Sequence, residues 1–142
     1  MTISPLSELL KATTLEFTIW HDPVAAVDGI PADSDDALVW WTPTLGPTAV
    51  LCLHRLSRYL TTSPSMSFDT VELAGAMGLV QKDRLAASEG FTRAMPRLEM
   101  FGMIRTIGNT IHVRTILPPL PQRFIRQLPT NLRDACPWTV TK

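Results

Sequence analysis

The sequence predicts a mainly α-helical fold with a small β-hairpin, an α+β domain. Between residues 47 and 102, apolar residues recur at three- and four-residue steps, the spacing of helices with one buried face. After Gly102 the pattern changes to runs rich in β-branched residues at 103–107 and 111–116. The turn signal Gly108-Asn109-Thr110 separates these two runs. With 142 residues, of which 45% are apolar and 18% charged, the chain is long enough for one domain with its own core.

The N-terminal third predicts little regular structure. Ser4-Pro5 is a helix start signal and predicts a short helix over about 5–13. Residues 21–37 are rich in Asp, Pro and Gly, which predicts a loop. Trp40 and Trp41 follow this loop and are interpreted as core or lid residues for the helix behind them.

Three helices are predicted in the middle of the chain. The first spans Pro47–Leu60 and leads into a possible short strand at 67–70. The second begins at Asp69 or Thr70 and ends at Met77, before a glycine suited to a C-cap. The third spans 88–102, with Ser88 as its N-cap. Short helical turns are expected near the C-terminus, at 122–127 and 131–135.

Pro96 lies inside the third predicted helix. An interior proline removes a backbone hydrogen bond and costs ~3 kcal/mol unless the helix bends. Two interpretations follow: a kinked helix that runs through Pro96, or a shorter helix that begins near it. We favour the kinked helix.

The charge is divided along the chain although the net charge is zero. Residues 1–45 hold one lysine against seven acids, a net of −6, and residues 46–83 balance. Residues 84–142 hold nine basic residues against three acids, a net of +6. The basic part can therefore face a polyanion, whereas the acidic part can shield it or face a basic protein partner.

The two cysteines, Cys52 and Cys136, do not form a CxxC pair. Cys52 lies in an apolar helical stretch and is expected to be a buried, inert thiol. The apolar runs are far shorter than the ~20 residues of a membrane span, and the N-terminus does not resemble a signal peptide. We therefore expect a cytoplasmic protein without a membrane partner.

Motifs for enzymatic chemistry are missing from the sequence. There is no glycine-rich phosphate loop, no GxSxG and no HExxH, and the histidines are scattered at His21, His54 and His112. The acids at 33–36 lack the glycine and the closing glutamate of a calcium loop, and no Cys/His cluster has zinc spacing. The expectation is a protein with no catalytic residues, no cofactor and no metal.

The junction Arg97-Leu-Glu-Met-Phe-Gly-Met-Ile-Arg105 resembles the point at which the recognition helix of winged helix-turn-helix regulators turns into the wing. The order of helix, extended segment, two helices and hairpin over 46–117 is similar to the same family. Trp41-Thr-Pro-Thr-Leu-Gly46 and Leu117-Pro-Pro-Leu-Pro121 also resemble small actinobacterial winged-helix proteins. The resemblance implies a winged-helix domain at 46–117. An acidic N-terminal extension, 1–45, would pack on that core, and a Pro-rich C-terminal extension, 118–142, would follow it.

On this interpretation the protein is a transcription regulator that binds double-stranded DNA through a recognition helix (about 88–102) and an arginine-bearing wing (103–116). The expected DNA-binding residues are Lys82, Arg84, Thr92, Arg93, Arg97, Arg105, His112 and Arg114. A homodimer is a further expectation. Its candidate anchors are Trp40, Trp41 and Trp138, although packing within one chain is the simpler role for these side chains.

A second hypothesis belongs to a different class. The domain can be a protein-interaction module that binds a component of the transcription machinery, or a phage or host protein, without reading DNA. The zero net charge, Pro96 and the acidic N-terminal segment favour this alternative.

Overall fold

The computed structural model describes residues 5–138 and shows a mixed α+β fold. Its helices are α1 (Pro5–Leu9), α2 (Pro23–Ala26), α3 (Asp35–Leu45), α4 (Pro47–Thr62), α5 (Thr70–Ala76), α6 (Glu89–Met100), α7 (Gln122–Ile125) and α8 (Thr130–Ala135). Its strands are β1 (Thr14–Trp20), β2 (Ile30–Pro31), β3 (Ser65–Asp69), β4 (Ile104–Ile107), β5 (Thr110–Arg114) and β6 (Ile116–Leu117).

Four strands form one sheet, in the order β3, β1, β5 and β4. β1 is antiparallel to β3 and parallel to β5, and β4 and β5 form an antiparallel hairpin. β2 and β6 pair separately as a short antiparallel ribbon. The hairpin predicted from the sequence is therefore one half of a larger sheet.

β1 is the main departure from the sequence prediction, which found no strand in residues 1–45 and gave them to an extension. Leu15 and Phe17 are buried while Thr14 and Glu16 are exposed, the alternation of a strand with one buried face. β3 and β5 pair with β1 on its two sides. Because β1 is an interior strand, this part of the N-terminal segment belongs to the sheet and does not merely pack on it.

α4 packs on one face of the sheet and, with the helices around it, encloses a continuous core. α4 contacts β1, β3 and β5, and it also packs against α3 and α6. The largest fully buried side chains include Phe17 of β1, Trp41 of α3, Leu53 of α4, and Phe91 and Leu98 of α6. The core thus draws on both sides of residue 46, where the sequence placed a domain boundary.

The middle helices agree with the sequence prediction. α4 extends two residues beyond the predicted end, and β3 occupies the segment where a short strand was considered. Asp69 is the N-cap of α5 and accepts a hydrogen bond of 2.9 Å from the Glu72 amide. Gly78, just after α5, has a φ of +72°, which suits the predicted C-cap.

α3 corrects the prediction of a loop over 21–37. Ser34 caps this helix by accepting a 3.2 Å hydrogen bond from the Ala37 amide. Asp35 and Asp36 occupy the first turn, where carboxylates interact favourably with the helix dipole. A helix start, rather than a solvated loop, thus accounts for these two acids. The helix continues through Pro43, which is exposed.

α6 is one helix that runs through Pro96. The missing amide would have donated to the carbonyl of Thr92, which lies on the exposed side, where water can bind it. Of the two sequence interpretations, a helix that continues through Pro96 is the one observed. Ser88 stands at the N-cap, but its side chain makes no capping hydrogen bond, contrary to expectation.

The hairpin turn is one residue shorter than predicted. Ile107 pairs with Thr110, so the loop consists of Gly108-Asn109, with Gly108 at a φ of +61°. A glycine with positive φ at the first loop position is typical of a two-residue type II′ turn. β5 then ends at Arg114, and the predicted strand continues only as the short β6. Helical turns near the C-terminus are confirmed as α7 and α8.

Candidate nucleic-acid interface

α6 presents one apolar and one polar face. Phe91, Ala94, Met95 and Leu98 are buried against the core. The opposite side carries exposed residues: Glu89, Thr92, Arg93, Arg97 and Met100. A helix packed in this way keeps a solvent-facing stripe along its whole length, which a partner can reach.

Arg93 and Thr92 are the predicted site residues of α6 that remain accessible. The Arg93 guanidinium lies 3.2 Å from the Glu89 carboxylate, and both side chains are about four-fifths exposed. An ion pair this exposed contributes little to stability and exchanges readily for another anion. The Thr92 hydroxyl donates to the Glu89 carbonyl within the helix.

Arg97 makes contacts within the fold that the sequence did not predict. Its Nε donates to the carbonyl of Leu45, and its Nη2 donates to that of Thr44 at 2.9 Å. These carbonyls belong to the last turn of α3, where no amide of the same helix can reach them. The guanidinium also lies 5.1 Å from the ring centroid of Phe101. Arg97 therefore fastens α3 to α6 through two of the five N–H donors of its guanidinium group.

Lys82 and Arg84 lie in a tight loop between α5 and α6. A bridge between Val80 and Ala87 closes the loop, and Arg84 donates its amide to the Gln81 carbonyl at 2.8 Å. Arg84 has a φ of +60°, the left-handed region that costs free energy for a residue with a Cβ. Lys82 and Arg84 are both exposed. The loop thus holds two basic side chains in solvent directly before α6.

Arg105 and Arg114 lie on the hairpin and share a partner, Trp20 of β1. The guanidinium of Arg114 is 3.7 Å from the ring centroid of Trp20, and that of Arg105 is 4.3 Å away. Trp20 is the direct register partner of Arg114. Cation–π contacts of this kind orient the arginines and cover part of the indole ring.

Arg114 is anchored, whereas Arg105 is not. Arg114 donates through Nε to the Gly102 carbonyl and through Nη1 to the Asp22 carboxylate, each at 2.7 Å, and its side chain is only 12% exposed. The hydrogen bond from Arg114 is the main reason that the pKa of Asp22 lies below its usual range. Within residues 5–138, Arg105 makes no hydrogen bond or ion pair and is exposed. Arg114 therefore supports the fold, and Arg105 stays available.

His112 faces outward between Arg105 and Thr18, its register partners on the two neighbouring strands. Partial burial lowers the pKa of its imidazole, and the charge of Arg105 lowers that pKa further. The neutral form is thus favoured. As a neutral ring, His112 can accept or donate a hydrogen bond but brings no charge to a phosphate.

These lowered pKa values predict an acid-sensitive stability in two separate intervals. Below pH 6.5, the ordinary pKa of histidine, the unfolded chain protonates His112 more readily than the folded one, so stability falls as pH falls. Around and below pH 3.8, protonation of Asp22 removes the stability that its contact with Arg114 contributes, so stability again falls as pH falls. Urea unfolding midpoints at a series of pH values are expected to show a shallower decline for His112→Gln in the first interval. For Asp22→Asn, the shallower decline of the urea midpoint is expected in the second interval, around and below pH 3.8. An unchanged slope in either variant would contradict the assignment of that interval.

A groove of about 350 Å³ separates the start of α4 from α6. Arg93 and Arg97 line one side, and Gly46, Pro47 and Thr48 line the other. The α4 N-terminus has no side-chain cap. The groove extends the accessible surface around Arg93 toward α4.

The structure thus divides the predicted DNA-binding residues into two groups. Lys82, Arg84, Thr92, Arg93 and Arg105 are exposed, on or next to α6 and the hairpin. Arg97 and Arg114 hold backbone carbonyls, and His112 is half-buried. Two residues that the sequence did not assign to the site contact the arginines of the hairpin: Trp20 and Asp22. Trp20 ends a run that alternates as a strand, and this signal could have placed it on the outer face.

The tryptophans considered as dimer anchors pack within the chain. Trp41 is 1% exposed and Trp40 is 8% exposed. Trp138 packs edge-on against Trp40 and donates its indole N–H to the Asp28 carbonyl at 3.2 Å. The three tryptophans therefore pack within one chain, which is the simpler of the two roles considered for them.

Both cysteines are free and buried. Burial raises the pKa of the Cys52 thiol to about 11, so Cys52 stays protonated and unreactive near neutral pH, as expected for an inert thiol. Residues 5–138 contain no group of three or more His, Cys, Asp or Glu side chains placed to hold a metal ion. In the same residues, no helix has both the length and the apolarity needed to cross a membrane.

Comparisons with models of protein families, with curated proteins and with solved structures found no match to this chain.

Proposed function

We propose that the protein is a winged-helix transcription regulator that binds double-stranded DNA through α6, the preceding loop and the β4–β5 hairpin. The observation that carries this proposal is the set of exposed basic side chains on these three consecutive elements: Lys82, Arg84, Arg93 and Arg105. The order α4, β3, α5, α6, β4, β5 supports it, because a winged helix has the same succession of elements. Here β1 is inserted between β3 and the hairpin.

The elements suit a division of roles on a DNA duplex. The exposed stripe of α6 enters the major groove, where Arg93 can donate to a guanine edge or a phosphate and Thr92 can donate or accept. Lys82 and Arg84 precede the helix, and Arg105 follows it. They can therefore bind the DNA phosphate backbone on either side of the major groove. Arg97 and Arg114 keep α6 and the hairpin in place for these contacts.

Four exposed basic side chains predict binding that weakens with salt. Four phosphate contacts correspond to a slope of log K against log salt of about −4. We expect a Lys82→Ala/Arg93→Ala double variant to reduce the magnitude of that slope by about 2, because each lost phosphate contact removes ~0.9. Fluorescence anisotropy with a labelled random-sequence duplex over a salt series measures both slopes.

The matched control is an Arg126→Ala/Arg133→Ala variant, which removes two exposed positive charges near the C-terminus. Its salt slope is expected to match that of the wild-type protein. Wild-type protein that fails to bind duplex at low salt would disprove the proposal. An equal loss in the control and the test variant would show that only net charge matters.

One observation favours a second candidate, a protein-interaction module. Met100 is 71% exposed, and Pro96 lies between Arg93 and Met100 on the outer side of α6, while Leu85, in the loop before this helix, is 79% exposed. Exposed apolar side chains on and next to one helix face are typical of a partner-binding surface. In this case a Met100→Glu variant is expected to lose a partner that wild-type protein retains in a pull-down, while Arg93→Ala still binds it. A pull-down in which Met100→Glu retains the partner would count against this candidate.

A further inference from the structure

Within residues 5–138, the helical layer leaves one face of the sheet, its outer face, open. Its side chains follow from the strand register and form three rows. The rows are Ser67–Glu16–Thr110–Ile107, Ser65–Thr18–His112–Arg105, and Trp20–Arg114. All of these residues are exposed or half-buried, whereas the residues between them along β1 and β5 point into the core. The face is therefore accessible, and its aromatic and positive side chains gather at one end.

A cavity of about 340 Å³ lies beside Trp20 at that end. Its lining includes Trp20, His21, Asp22, Pro23, Ala26 and Ile116. The lining is mostly apolar, and its polar residues are His21, Asp22 and Thr115. The Asp22 carboxylate already accepts hydrogen bonds from Arg114 and from the Val24 and Ala25 amides, so His21 and Thr115 are the polar residues open to a ligand. A planar aromatic ring with polar edges, such as a nucleobase, fits this combination of an indole face, apolar walls and a few polar atoms.

The two arginines at Trp20 differ in a way that matters for a ligand. Arg114 is fixed by Gly102 and Asp22, but Arg105 is held in the described structure only by its contact with the indole. Arg105 can therefore leave the ring and pair with a phosphate, and a base can take its place on the indole. The exchange replaces a cation–π contact with a base–aromatic stack and gains an ion pair.

We propose that this face is a second nucleic-acid site, which binds unpaired nucleotides of a single strand. One base stacks on Trp20 in the place that Arg105 leaves, next to the cavity, and Arg105 binds the adjacent phosphate. The neutral imidazole of His112 lies in the next row, within reach of a neighbouring base. This site lies on the sheet rather than on the outer stripe of α6, and only Arg105 belongs to both surfaces.

Binding of labelled oligo-dT and oligo-U to the full-length chain tests the proposal, with a duplex of the same length measured in parallel. Wild-type protein is expected to bind at least one single strand at low salt, with quenching of tryptophan fluorescence. Trp20→Leu should weaken that binding about tenfold or more, because one base–aromatic stack is lost. Trp20→Phe should retain most of it. Arg126→Ala, a control for charge, should match wild type. The two oligonucleotides show whether DNA or RNA is preferred.

Photo-crosslinking of wild-type protein to a 5-iodouracil-containing oligonucleotide gives a second readout that does not depend on the folding of a variant. The proposal expects the adduct on Trp20 or His112. Wild-type protein that binds no single strand overturns it, as do equal affinities of Trp20→Leu and wild type, or an adduct confined to α6. Duplex binding is measured separately. Loss of single-strand binding alone would therefore overturn this site, and loss of duplex binding alone would overturn the proposed regulator.

Discussion

Replacing Phe17 by alanine is expected to destabilise the whole domain by about 3–5 kcal/mol, the range for removing a fully buried aromatic side chain. Phe17 is 1% exposed, and its ring lies 5.9 Å from that of Phe68 on the neighbouring strand. It lies on β1, which joins β3 to the hairpin. The cavity left by the ring would therefore lie in the middle of the sheet, where little can collapse to fill it. Urea unfolding followed by circular dichroism measures the loss.

Two companion variants make this result interpretable. Thr14→Ala alters an exposed residue of the same strand and is expected to change stability by less than about 1 kcal/mol. Phe17→Leu keeps most of the buried volume and should remain folded if the alanine variant does not, so that a cost can still be measured. A loss for Phe17→Ala no larger than that for Thr14→Ala would contradict the placement of Phe17 in the core under an interior strand.

β1 was not predicted from the sequence because a strand that it pairs with lies far away along the chain. Leu15 and Phe17 alternate with polar residues, but the run is short, and Phe17 also fits a helical spacing with Leu6, Leu9 and Leu10. The strand is stabilised by pairing with β5, almost a hundred residues later. Periodicity is a local signal, and it does not indicate which distant strand will pair with a short apolar run.

Proline and turn residues also misled the interpretation of α3. The Asp-, Pro- and Gly-rich composition of residues 21–37 predicts a loop. In the structure the same aspartates lie in the first turn of a capped helix. Burial of Trp41 against the core stabilises that helix and outweighs the local cost of Pro43. Longer segments with clear periodicity, such as α4 and α6, needed no such tertiary information and were predicted correctly.

Arginine content is likewise an ambiguous signal for nucleic-acid binding, because tertiary contacts decide which arginines are already bound within the fold. Arg97 binds the last carbonyls of α3, and Arg55 likewise donates to the Ala76 carbonyl at the end of α5, at 3.2 Å. Arg114 binds Gly102 and Asp22. The sequence shows that these cations exist and that α6 has a polar face. Only the packing shows which guanidinium groups are already bound to backbone carbonyls.

Arg97→Met is expected to lower stability by about 1–2 kcal/mol, whereas Arg93→Met should change it by less than about 0.5 kcal/mol. Both substitutions remove one positive charge from α6 and leave the same unbranched apolar side chain. Arg97, however, donates to Thr44 and Leu45, while Arg93 only faces an exposed Glu89. Without Arg97 the α3 carbonyls lose their donors and Phe101 loses a stacking partner. The difference between the two unfolding free energies measures the anchoring role.

Duplex binding by the same two variants distinguishes an anchoring residue from a DNA-contacting one. At a temperature where both are folded, Arg93→Met is expected to weaken binding, and Arg97→Met is expected to weaken it less, because the Arg97 donors face α3. Arg97→Lys should recover only part of the stability, since an ammonium group cannot reproduce the two donors of the planar guanidinium. A fully stable Arg97→Met variant with the larger binding defect would reverse this assignment and make Arg97 a DNA-contacting residue.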